Sequence, residues 1–189
     1  MRLRERLPDI AMEVFSVVFA ESLALFVNEW RQDRSDQALA ARALEAVVEE
    51  VRSNRDGLVS TVEQHQESLD SLRVTIAAID AGAIDSLGGS LQYDVALLKG
   101  TAWETARMTQ VIIHMEYETV AELSGIYELQ AMYLRMTDDF VDDMLRGKRP
   151  SGIDQIREMY LHHVTYLANL TKLGTSLLET YDAFLPPPE

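Results

Sequence analysis

Between Pro8 and Gly82 the chain contains one glycine, Gly57, and no proline. A stretch that long with a single backbone breaker has few ways to fold other than as helix. β-Sandwiches and barrels need a turn signal every 8–12 residues, and none is supplied. Pro8 suits the first turn of a helix, and Asp9 complements the positive end of its dipole. Nothing compels a stop before Ala81-Gly82, although Asp56-Gly57 is a point where a kink is expected.

The start of this helix is apolar. Ile10 to Val27 runs without a break into Asn28-Glu29-Trp30-Arg31, with Arg2, Arg4 and Arg6 upstream and Arg31 and Arg34 just downstream. Eighteen residues lie at the short end of what crosses roughly 30 Å of hydrocarbon. Glu13 and Glu21 interrupt the run, and each costs about 2.5–3.5 kcal/mol when placed centrally in a bilayer. The expectation is a short basic tail over residues 1–9, a membrane anchor over 10–28 and an interfacial aromatic at Trp30. The arginine bias favours a cytoplasmic amino terminus. Glu13 and Glu21 lie about 80° apart on a helix, and Glu21 and Asn28 are nearly eclipsed. Either they form a polar face toward copies of the chain or another membrane subunit, or Glu13 merely reaches an interface and Glu21 is a tolerated defect in the run. Two other readings stand beside this one: a helix buried at the centre of a soluble helical oligomer, and a removed targeting segment, against which Glu21 counts.

The formal net charge is −14, and residues 35–189 carry 12 of the 17 basic but 25 of the 31 acidic side chains. A body this acidic repels phosphate backbones, so no nucleic-acid partner is expected. It also repels anionic headgroups, which leaves the first helix as the expected lipid contact. The chain has no cysteine, which removes disulfides, thiolate nucleophiles and cysteine metal sites.

Beyond the apolar run a seven-residue pattern appears. One row is Leu44, Val51, Leu58, His65, Leu72 and Ile79; the other is Val48, Arg55, Val62, Leu69 and Ile76. This is the stripe of a helix that packs along its length. Arg55 and His65 are its two polar intrusions and are expected to set the register of the stalk. Such a stalk pairs with a partner or has later helices folded back along it. Residues 81–100 read as a connector with a turn at Gly88-Gly89. Thr101 and Glu104 have the spacing of a capping box, predicting a helix to about Ile113. A bend is expected around His114-Met115-Glu116, then a helix to Arg146, ended by Gly147 and Pro150. Ser151 and Asp154 resemble a second capping box for a last helix through Leu177 and Tyr181. Residues 185–189 form a Pro-rich tail.

Four short segments carry a resemblance: Val27-Asn28-Glu29-Trp30-Arg31, Arg52-Ser53-Asn54-Arg55, Thr101-Ala102-Trp103-Glu104-Thr105-Ala106 and Tyr127-Glu128-Leu129-Gln130. Together they resemble a group of uncharacterised bacterial proteins with one amino-terminal membrane helix and an all-helical body. The likeness implies a single-pass protein of the bacterial inner membrane with its helical body in the periplasm. It implies architecture and location, not a reaction. Those proteins usually have small residues where Ala20-Glu21-Ser22 stand here.

No catalytic motif is present. Gly-x-Ser-x-Gly, His-Glu-x-x-His and Glu-x-x-His are all absent, so no catalytic residue, metal site or cofactor is expected. Glu158, His162 and His163 on one helix, with His114 and Glu116 at the bend, read as ordinary histidines. Asp138, Asp139, Asp142 and Asp143 cluster late in a helix, where the dipole disfavours negative charge. They are a candidate for a cation or a basic partner, or a solvated face balanced by Arg146, Lys148 and Arg149. Tyr117, Tyr127, Tyr133, Tyr160, Tyr166 and Tyr181 are expected mainly in the core, with a ligand cavity as the alternative.

The fold expected is all-α: a long N-terminal helix, anchor then stalk, with an antiparallel helical bundle over residues 29–184 packed on its soluble part. The function expected is non-enzymatic: a structural, accessory or scaffolding subunit of a cell-envelope complex. Its expected partners are membrane lipid and, as a homo-oligomer or with another membrane protein, further helices. A ligand-sensing bundle working through a partner is the alternative.

Overall fold

The computed structural model describes residues 7–84, 94–146 and 150–187; within the first helix, side chains are described from Met12 onward, Val14 excepted. Arg2, Arg4, Arg6, the Gly88-Gly89 turn, Gly147 and the environments of Ile10, Ala11 and Val14 lie outside the described residues. Four α-helices and one 3-10 turn make up the regular structure: α1 Leu7–Asp80, α2 Thr101–Met108, the turn Val111–His114, α3 Tyr117–Arg146 and α4 Ile153–Phe184.

α1 is one helix of 74 residues, about 110 Å long at 1.5 Å per residue. Gly57 does not interrupt it. Its carbonyl instead accepts hydrogen bonds from the Ser60 and Thr61 hydroxyls at 3.0 and 3.2 Å. Ala40 is the first buried residue of α1, and burial recurs from there to Ile76.

The later helices fold back along this half. Arg157 of α4 pairs with Asp80, while Asp182 near its other end pairs with Arg55 at 2.9 Å, so α4 runs antiparallel to α1. Asp143 and His162 meet at 3.0 Å, and Gln130 and Tyr181 at 2.6 Å, so α3 runs antiparallel to α4. α1, α3 and α4 thus enclose one core, with Leu58, Leu123, Ile126, Tyr133, Leu167, Leu170, Leu177 and Tyr181 essentially sealed from solvent. The closest approach is at Gly174. A Cβ there would lie 2.8 Å from Val62 Cγ2 and 3.3 Å from Tyr133 Cε2. Only glycine lets α4 come this close to α1.

The buried stripe of α1 differs from the two expected rows in its first half. Val51, Leu58, His65, Leu72, Leu69 and Ile76 are buried as expected, but Val48, Arg55 and Val62 are half-buried. Their place in the interior is taken by the neighbouring row Ala40, Val47, Asn54 and Thr61. A straight helix drifts about 20° per heptad against a strict seven-residue repeat, so over these turns the inward face moves from one row to the next.

Three local expectations are corrected. α2 stops at Met108 rather than about Ile113, because Gln110 turns left-handed (φ 59°) and directs the chain into the 3-10 turn. The bend at His114–Glu116 is present, with Met115 extended. Thr101 and Glu104 form no capping box: the N-cap of α2 is Gly100, without a side-chain cap of its own. The free amides are met from α1, where Glu50 accepts from Ala102 N–H at 2.8 Å and Trp103 N–H at 3.4 Å. At α4 the N-cap is Gly152. Gln155, not Asp154, reaches back to the Ser151 amide and hydroxyl at 3.0 and 3.1 Å.

Candidate functional site

Among the described residues, no helix packs on the part of α1 before the bundle. From Phe15 to Ser35 every described side chain is exposed; Phe15 and Phe26 are each 66% exposed and Leu25 is 70% exposed. At about 100° per residue, Phe15, Val17, Phe19, Leu23, Leu25 and Val27 point to all sides rather than forming one stripe. A helix apolar all round belongs inside a larger apolar environment. Within it the only described ring contact is local, Phe15 stacking on Phe19 at 6.2 Å.

Glu13, Glu21 and Asn28 are exposed on this segment, and the one described hydrogen bond there is the Ser16 hydroxyl donating to the Glu13 carbonyl at 2.8 Å. Trp30 follows, half-exposed, with the Arg34 guanidinium 4.7 Å from its ring centre. Such a stacked cation extends the polar edge of an interfacial aromatic. Among the described residues no helix is long and apolar enough to cross a membrane. The described side chains leave out Ile10, Ala11 and Val14 of the apolar run.

The body carries a buried polar cluster that the sequence pattern did not single out. Glu50 accepts from the Tyr127 hydroxyl at 2.7 Å in addition to the two α2 amides. One turn on, Asn54 holds the connector by its backbone: its amide donates to the Lys99 carbonyl at 2.7 Å and its oxygen accepts the Lys99 N–H at 2.8 Å. Gln130 of α3 donates to the same carbonyl at 2.9 Å and accepts from Asn54 and from the Tyr181 hydroxyl. An irregular segment laid on a core has no ladder to satisfy its amides; here Asn54 and Gln130 supply that ladder. The cluster ties α1, α2, α3, α4 and the connector together. Burial, reinforced by Glu50, pushes the Tyr127 hydroxyl well above the usual tyrosine range; burial does the same for Tyr181 and raises Tyr133 to about 12. All three remain protonated at neutral pH; Tyr127 and Tyr181 donate to Glu50 and Gln130, while the buried Tyr133 hydroxyl has no hydrogen-bond partner among the described residues.

The two polar intrusions in the stalk both serve contacts within the chain. Arg55 reaches Asp182 and Asp56. His65, buried at 3% exposure, donates from Nε2 to the Asp94 carbonyl at 2.8 Å, while its Nδ1 has no partner. Desolvation lowers its affinity for a proton, against a smaller opposing effect of Asp94.

Asp138, Asp139, Asp142 and Asp143 are exposed along α3. Asp142 pairs with Arg146 at 2.8 Å and Asp143 with His162. Among the described residues no three His, Cys, Asp or Glu side chains come together as metal ligands. Tyr127, Tyr133, Tyr160 and Tyr181 are core residues, Tyr166 is half-buried and Tyr117 is exposed. A surface cleft of about 560 Å³ opens over Trp103 and Tyr127, whose rings stack at 5.5 Å. Another, of about 490 Å³, opens between α3 and α4 over Met136, His162 and Tyr166.

Compared with known proteins, the chain matches no family model, no curated protein and no solved structure.

Proposed function

We propose that this protein is a membrane-tethered, non-enzymatic helical scaffold: the apolar start of α1 sits in lipid, and the acidic bundle is held at a fixed distance outside it as a structural or accessory subunit of an envelope complex. The observation that carries this reading is the contrast along a single helix. Residues 40–80 bury a stripe against α2 and α4, whereas residues 15–27 expose apolar side chains on every side with no element folded onto them. One partner helix covers a single stripe of another, so pairing with a second copy leaves most of this surface in water. A lipid environment covers all of it. Trp30 with Arg34 stacked beside it suits the headgroup level, and the net charge of residues 35–189 favours a body in water. The arginines at positions 2, 4 and 6 and the resemblance noted above favour an inner-membrane protein with a periplasmic body. Glu13, Glu21 and Asn28 then face protein rather than lipid, which makes the assembly a homo-oligomer or a complex with another membrane subunit.

The test is flotation of the full-length chain with phosphatidylcholine vesicles on a density gradient. The expected result is co-flotation that survives high salt and alkaline carbonate, and aggregation when detergent is withdrawn. A chain that stays at the bottom of the gradient and remains monodisperse in plain buffer overturns the tether. Monodisperse oligomers under those conditions point instead to α1 helices buried against one another.

A further inference from the structure

The end of the bundle nearest the projecting segment has an apolar surface of its own. α2 starts beside Glu50 and ends near the level of Ala43, so it runs back toward the amino-terminal half of α1. The 3-10 turn continues in that direction until His114 Nε2 lies 3.8 Å from Asp36 Oδ2. α3 begins there and returns alongside α1, reaching Glu50 with Tyr127. The turn and the first residues of α3 therefore form a collar on one side of α1 where the bundle ends.

This collar exposes large apolar side chains. Ile113 is 72% exposed and Tyr117 80%, while Leu39 and Met108, also exposed, stand farther along α1 from the projecting segment. Val111 and Ile112 on the same turn are half-buried, so the turn is anchored while Ile113 is held outward. Exposed apolar side chains scattered singly, such as Val74 and Leu145, need no explanation. Several gathered at one end of a bundle, on the side of an apolar helix, do.

Distance settles what this surface meets. Asp36 stands six residues beyond Trp30, about 9 Å along the helix axis. The headgroup zone on each side of the hydrocarbon is about 5–7 Å deep. Membrane helices tilt by about 20°, which lowers an element packed 8–10 Å to one side by roughly 3 Å. That brings the level of Asp36 to about 6 Å beyond Trp30, within the headgroup zone.

We propose that Ile113 and Tyr117 form a second lipid contact, a collar that rests in the headgroup layer of an uncharged membrane and sets the tilt of the bundle. The proposal rests on the tether reading above. The lipid is zwitterionic because Asp36, Glu116 and Glu118 stand beside the collar and repel anionic headgroups.

The chain has no cysteine, so single reporters can be placed cleanly. Ile113→Cys, Phe26→Cys and Val74→Cys, each in the full-length chain and each at an exposed site, are labelled with an environment-sensitive fluorophore and reconstituted in phosphatidylcholine vesicles. Lipids bearing a nitroxide in the headgroup or deep in the acyl chain act as quenchers. The expected result is acyl-chain quenching at position 26, headgroup quenching at 113 at least twofold above that at 74, and little quenching at 74. Quenching at 26 with position 113 no different from 74 overturns the collar and leaves the tether standing. A blue shift at 113 without lipid quenching also overturns the collar, since a second copy then covers it. No lipid quenching at any of the three positions overturns the tether and the collar together.

Discussion

Glu50 on α1 and Tyr127 on α3 meet through a 2.7 Å hydrogen bond in the interior, and the same carboxyl group accepts the first free amides of α2. One side chain thus satisfies free amides at the start of a helix 52 residues away and accepts from a buried phenol. Glu50→Ala leaves the Tyr127 hydroxyl and the α2 amides without an acceptor and is expected to cost about 2–4 kcal/mol, the sum of a lost cap and an unpaired buried donor. Tyr127→Phe removes a donor but leaves Glu50 its amide partners, and is expected to cost about 1–2 kcal/mol. Urea unfolding of both single variants and the double variant checks this. The double variant should be less destabilised than the sum of the two, whereas additive losses would mean that the bond contributes nothing of its own.

Gly174→Ala places a Cβ 2.8 Å from Val62 Cγ2. α4 must then move off α1 or Val62 must change rotamer, at an expected cost of about 1–3 kcal/mol. Pairing it with Val62→Ala should recover much of the loss. Thermal melts of the single and double variants check this, and an unrecovered double variant would place the strain elsewhere.

Much of the architecture was legible in the sequence because it depends on local signals. Scarcity of breakers pointed to α1, and the end of α3 at Arg146 followed from Gly147 and Pro150; a bend was also expected around His114-Met115-Glu116. The buried cluster was legible only in pieces: Asn54, Trp103, Tyr127 and Gln130 lie in the short segments that carry the resemblance, but nothing local shows that they meet or that Glu50 joins them. Glu50 stands in the run Val48-Glu49-Glu50 and reads as a charged surface, and Asn54 falls outside both heptad rows. The signal that locates Asn54 is the row Ala40, Val47, extended by sevens to Asn54 and Thr61, with Glu50 on the same face three residues past Val47 and four before Asn54; a fixed heptad count passes over it as the helix drifts. The missed cap has a related cause. A capping box is recognised from four adjacent residues, whereas α2 takes its cap from a helix distant in sequence and close only after folding.

Gln110 adopts φ 59°, a conformation that costs a residue with a Cβ about 1 kcal/mol or more. It lies at the point where α2 gives way to the collar turn. Gln110→Gly should stabilise the fold by about 0.5–1 kcal/mol, because relief of strain exceeds the added freedom of the unfolded chain. A denaturant midpoint unchanged or lowered by the substitution would show that the Gln110 side chain makes a compensating contact.

His65 gives the fold a pH dependence whose sign follows from its surroundings. Burial lowers its pKa below the usual value, and Asp94 only partly opposes this. Burial acts in the same direction on His163, followed by the neighbouring His162. Between the folded pKa and the unfolded value near 6.5, the unfolded chain binds more protons than the folded one, so stability rises with pH across that interval. The stabilising effect is complete above about pH 6.5 and diminishes as acid is added, until the folded imidazole is itself protonated. His65→Gln keeps a donor for the Asp94 carbonyl but cannot titrate. Between about pH 7.5 and 5.5 the wild-type chain should lose stability more steeply than this variant, by at most about 1.4 kcal/mol per pH unit for one proton. Chemical unfolding at several pH values across this range checks it. Parallel curves for the two proteins would assign the acid sensitivity to His163 or to the carboxylates instead.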